Sequence, residues 1–189
     1  MLFLENFARP LLIVHAVAAA VLVGATTHHL LWSRHYLFGR FNTYKGERTF
    51  AWVAAAAFVT TFLVGNLLYP TYKVRVRAEY FDSPQAVAAE SALRTQQHQV
   101  SRVAVAGAPE RGLTLTSVAR LFDIKEHWVA IGCAASLVLL VLSRRAHPKD
   151  HPRVLWLYLG LSATACGAAW FGAVVGLLTA SYRAVGGVT

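Results

Sequence analysis

PLLIVHAVAAAVLVGATTHHLLW, residues 10–32, decides the fold. It is apolar nearly throughout, and a bilayer needs only about 20 such residues. Pro10 suits a first helical turn, where its missing N–H costs nothing. The stretch therefore reads as a transmembrane helix. Its oddity is that His15 stands near one end while His28 and His29 stand near the other. Imidazoles are costly in lipid and usually face the inside of a bundle.

Three more runs read the same way, at about 50–69, 126–143 and 154–180, the second stopping at Pro70. The chain is 56% hydrophobic and only 14% charged, whereas a soluble domain carries about a quarter charged residues. Mean hydropathy is +0.46. The expected fold is an all-α integral membrane protein, a four-transmembrane-helix bundle forming a single membrane domain over 1–189. A small helical extramembrane segment is expected over about 71–122. Within it, Ser83-Pro84 has the form of a helix start, GAPERG reads as a loop, and Thr114 or Thr116 can cap a helix running into the third span.

Net charge is +9, yet the bases lie between the apolar runs and not in one block. That pattern anchors helices at the membrane surface. No zinc-finger spacing, phosphate loop or basic-aromatic motif is present, so nucleic acid is excluded as a partner, and membrane lipid and other subunits of a membrane complex are expected. Cys133 and Cys166 fall inside apolar runs and read as small core residues. The N-terminus lacks an early basic region and carries Glu5, so it reads as retained rather than as a cleaved signal.

Four spans place both termini and the 70–125 segment at one end, here end A. The loops at 34–49 and 144–153 lie at end B. These two short loops hold Arg34, Arg40, Lys45, Arg48, Arg144, Arg145, Lys149 and Arg153 with few acids. Short basic loops stay cytoplasmic. End A is then outside, and the setting expected is a bacterial inner membrane.

His15 in the first span and His127 in the third both fall near end A. Imidazoles from two helices at one depth are what a b-type haem requires, one on each face of its iron. Arg9 and Lys125 would meet the propionates, and Asn66 would offer a donor to a propionate or to a quinone carbonyl. Tyr69, Lys73, Arg75, Ser181 and Tyr182 lie in the same layer. Asp123 precedes His127 by one helical turn, the placement of a carboxylate that orients a ligating imidazole.

His29 is a further candidate ligand. It follows His15 by 14 positions, hence nearly one face and about 21 Å of rise. Two histidines so spaced on one span resemble the di-haem arrangement of membrane cytochromes b, with haems stacked across the bilayer. The resemblance implies a second histidine near position 141 on the partner helix, and Val141 stands there. Only His147 or His151 in the end B loop would be left to serve. His28, His29 and His35 also read as a metal cluster or as headgroup contacts.

The fourth span is rich in small residues, with Gly172 and Gly176 as a small-xxx-small pair that suits close helix packing. No catalytic motif is present, and the lack of CxxCH excludes covalently attached haem. The sequence thus points to a b-type haem subunit passing electrons between an external partner and quinone or a neighbouring subunit, with one haem b and a quinone as cofactors. The competing expectation is a non-catalytic accessory subunit of a larger membrane complex.

Overall fold

A computed structural model describes residues 5–89, 91–93 and 114–182. Four long helices carry the chain: α1 (Ala8–Ser33), α2 (Tyr44–Thr71), α3 (Leu115–Arg145) and α4 (Leu155–Tyr182). Each is long and apolar enough to cross a membrane. No strand occurs among the described residues. The protein is an all-α, four-helix integral membrane protein. The helices run past the apolar runs that announce them: α2 starts at Tyr44 rather than near 50, and α3 at Leu115 rather than near 126. Thr114 caps α3, its hydroxyl accepting the Ser117 N–H at 3.1 Å.

α1 packs between α2 and α4, and α3 packs between the same two helices. This is an antiparallel ring of four. Short connections enforce it at end B. A 3₁₀ turn, Arg34–Phe38, ends at Gly39, whose φ of 67° suits a residue without a Cβ. The second connection, 146–151, folds back through His147, whose carbonyl accepts the N–H groups of Asp150 and His151.

The core is built from small residues facing a few large ones. Ala57 and Phe58 of α2, Ala135 and Leu139 of α3, and Ala165, Ala168 and Ala169 of α4 are buried together with Leu22 of α1. In lipid the apolar surface gains little by leaving its surroundings, so close backbone approach and tight contact carry the packing. Gly132 shows how close: a Cβ there would lie 2.5 Å from that of Ala168. The fourth span's glycines divide by face. Gly172 and Gly176 look onto Val129 and Lys125 of α3, whereas Gly160 and Gly167 face open space. The helices turn Val17, Leu63, Ile131, Val141, Leu157 and Leu177 outward.

At end A, α2 does not stop at Pro70. Proline cannot donate to the carbonyl four residues back, and beyond Thr71 the chain widens into a π-helical stretch, Tyr72–Phe81. Tyr72, Val76 and Phe81 bury against Leu115, Val118 and Ala119 at the start of α3. The part of the extramembrane segment seen here is therefore a continuation of α2, followed by helical residues 84–89 and 91–93, with Ser83 capping the first turn through the Ala86 N–H. The GAPERG loop lies outside the described residues.

Candidate functional site

The densest polar group is at end B, around Glu47. This residue sits in the first turn of α2, where the exposed N–H groups of a helix favour negative charge. Its side chain is fully buried. The spacing explains why: Glu47, Ala51, Ala54 and Phe58 recur at three and four residues, and all four are buried on one face of α2.

An ionised carboxylate out of water is tolerated only when its oxygens are bonded. Four donors from the other elements do this. Tyr158 of α4 donates its hydroxyl to Oε1 in a short bond. Nε2 of His29, from α1, stands 2.5 Å from the same oxygen. Tyr36, from the 3₁₀ turn, donates to Oε2 at 3.2 Å, and His147, from the α3–α4 connection, approaches Oε2 through Nε2 at 3.2 Å. All four are buried. Above them Tyr36 stacks on Phe41 at 4.9 Å, and Lys149 lies 4.3 Å over the Tyr44 ring. The carboxylate is sealed from the end B surface and ties three helices and both connections together.

The partners assign the imidazole protons. The backbone N–H of Lys149 donates to Nδ1 of His147 at 3.1 Å. That nitrogen must accept, so the ring carries its proton on Nε2 and donates it to Glu47 as a neutral group. His29 is not held in this way. Its Nδ1 lies 2.8 Å from the Ser162 hydroxyl, which can give or take a hydrogen bond. His29 is thus the imidazole of this pair whose surroundings accept it both neutral and protonated.

A cavity of about 10 Å³ adjoins His29, lined also by Thr26, Ser136 and Ser162 among alanines and Leu139. Such a space takes about one water, and a water needs polar partners. Three hydroxyls and an imidazole supply them.

The residues singled out at end A are arranged differently. His15 is half-buried against α2, its Cε1 3.3 Å from where a Cβ on Gly65 would stand, and its Nδ1 has no partner. The structure does not bring His127 to it. Lys125 occupies the inward face of α3, beside Gly176 of α4 and 4.9 Å over the Phe122 ring. His127 follows two residues later, about 200° around the helix, and is exposed. The two histidines share a depth but not a direction. The Asp123 carboxylate does not orient His127 either. It pairs with Arg77 at 2.7 Å, and the His127 ring donates from Nδ1 to the Asp123 backbone carbonyl at 2.9 Å. Arg9 and Asn66 are exposed. Tyr69 packs near Tyr72, and Ser181 bonds back to the Leu178 carbonyl. The side chain of Tyr182 lies outside the described residues.

The histidines of end B separate as well. His28 stacks on Phe50 at 5.1 Å on the outer face, and His35 lies in the 3₁₀ turn. Of His147 and His151, the two histidines left for a second haem, His147 approaches His29, but with the Glu47 carboxylate between them. Among the described residues, no group of three or more His, Cys, Asp or Glu side chains is arranged to hold a metal ion. The donors converge on the carboxylate rather than on a shared point. Glu47 itself is the residue sequence reasoning missed. No known family profile, no curated protein and no solved structure matches this chain.

Proposed function

We propose that this chain is a proton-handling membrane protein, with His29 and Glu47 as the group that takes up and releases one proton. The observation that carries this reading is the asymmetry of the two imidazoles on one buried carboxylate: Nδ1 of His147 accepts from a backbone N–H, whereas Nδ1 of His29 faces a hydroxyl that can give or take a hydrogen bond. With His29 neutral, Ser162 donates to Nδ1, and the centre holds the single negative charge of Glu47. With His29 protonated, Nδ1–H donates to Ser162, whose own hydrogen turns toward the cavity. The His29–Glu47 pair is then neutral overall. Uptake needs only the turning of one hydroxyl and a proton delivered through the adjacent water-sized space. Ionisable groups inside membrane spans are typically proton or ion paths. End B, with its basic loops, is the cytoplasmic face in this reading, and the setting is a bacterial inner membrane.

Infrared difference spectra of the protein in lipid nanodiscs, taken across a pH titration, test it. Wild type should show one buried carboxylate–imidazole pair changing state. Glu47→Gln and His29→Gln should each abolish that signal, while His147→Gln keeps it. A spectrum unchanged by His29→Gln would end the proposal.

The unpartnered Nδ1 of His15 favours a second reading, a haem-binding electron-transfer subunit in a larger complex. His15 would hold the iron, with Arg9 and Lys125 near the propionates and Asn66 near a quinone. A neighbouring subunit would supply the opposite ligand, because His127 is exposed on the other face of α3. A reduced-minus-oxidised spectrum of the haem-replete complex, lost in His15→Ala, is its test.

A further inference from the structure

Outside the buried centre, end B carries a groove of about 580 Å³ between α2 and α3, lined by Arg48, Thr49, Trp52, Val53 and Arg144. Its composition is graded along the membrane normal. Arg48 and Arg144 lie just beyond the apolar runs of their helices, at the level where headgroups begin. Trp52 lies one turn deeper and is about half exposed at 52%, and Val53 is beside it. The two guanidiniums come from antiparallel neighbours, one at the start of α2 and the other in the last turn of α3. No acid lines the groove, and among the described residues neither arginine has a carboxylate partner.

We propose that this groove is a binding site for one anionic phospholipid, its phosphodiester held by Arg48 and Arg144 and an acyl chain lying along Trp52 and Val53. Guanidinium matches the spread charge and two-oxygen geometry of a phosphate. Tryptophan belongs at the headgroup boundary, with its ring in apolar surroundings and its N–H toward water. A basic recess between spans on the cytoplasmic side is the form such lipid sites take. A soluble anion would use the arginines alone and leave the apolar floor uncovered. A zwitterionic lipid would bring its own cation to a site that already holds two.

The test uses the whole protein. Detergent-solubilised protein is mixed with equal amounts of phosphatidylglycerol and phosphatidylcholine, and the bound lipid is read by native mass spectrometry. Wild type should retain phosphatidylglycerol about tenfold over phosphatidylcholine. Arg48→Gln/Arg144→Gln should lose that preference, and Arg34→Gln/Arg153→Gln, at the same end but outside the groove, should keep it. Millimolar inorganic phosphate should not displace the lipid. Equal retention of the two lipids by wild type, or an undiminished preference in the Arg48/Arg144 variant, would overturn the site. Displacement by inorganic phosphate would overturn the lipid assignment. All four arginines are exposed, so their replacement leaves the packed core intact.

Discussion

The Glu47 cluster at end B and the polar groups of end A handle hydrogen bonding in opposite ways. At end B the Glu47 carboxylate takes bonds from four buried donors on four different elements. At end A the Nδ1 of His15 and the hydroxyls of Thr61 and Tyr72 are buried without a hydrogen-bond partner, whereas the unpartnered groups of end B, His35 Nδ1 and the Thr43 hydroxyl, stand outside the Glu47 network. Arg77 does bind Asp82 and Asp123 there, at 2.9 and 2.7 Å, but both carboxylates are half exposed. A closed network in a low-dielectric interior fixes one arrangement, and an open one leaves groups for something else to satisfy. The Glu47 centre is finished. The polar layer of end A is left open.

The sharpest way to break this contrast is to remove the central acid of each end. Glu47→Ala should cost about 3–5 kcal/mol, because four donors lose their common acceptor inside the bundle. Asp123→Ala should cost no more than about 1 kcal/mol, since its ion pair is screened and Arg77 keeps Asp82. Reversible unfolding in mixed micelles measures both. Comparable losses would mean that the buried centre is no more cooperative than a surface pair.

A smaller difference is expected between two histidines of one helix and its exit. His147→Ala strands the Lys149 N–H and removes a donor from Glu47, which should cost about 1–3 kcal/mol. His127→Ala gives up one exposed bond to its own helix and should stay within about 0.5 kcal/mol. The same micelle assay reads both. A large loss at His127 would show that its ring does more than bond back to its own helix.

Why the spans were legible and the polar centres were not follows from what sequence encodes. Length and apolarity announce a span, so all four helices were readable. Spacing announced that Gly172 and Gly176 lie on one face, and it left His147 or His151 as the histidines able to reach the level of His29. Glu47 escaped because it stands in TYKGER, outside the apolar run and among bases, where an acid passes for loop charge. The signal was present in the alanines: the inward stripe of Ala51, Ala54 and Phe58 extends back to Glu47, three residues before the hydrophobic run begins. His15 and His127 were paired on depth alone. Depth is set by position along the helix, but facing is set by 100° per residue, and Lys125 already held the inward face. The basic groove left no mark in either helix separately, since its two arginines are 96 positions apart.

Two tyrosines give the finest comparison, because the same atom is removed from each. Tyr158→Phe deletes a donor to a buried carboxylate, and bonds to charged groups are worth about 1.5–3 kcal/mol. The ring volume is kept, so no cavity forms and the loss reports the hydroxyl alone. Tyr72→Phe deletes a buried hydroxyl that stands near the Arg77 guanidinium without closing a well-formed hydrogen bond to it. Its ring remains stacked on Phe122 at 3.9 Å. An unpaired polar group has already suffered its desolvation, so taking it away should leave stability unchanged or slightly raised. If Tyr72→Phe costs as much as Tyr158→Phe in the same assay, the Tyr72 hydroxyl has a partner in the membrane, and end A is as complete as end B.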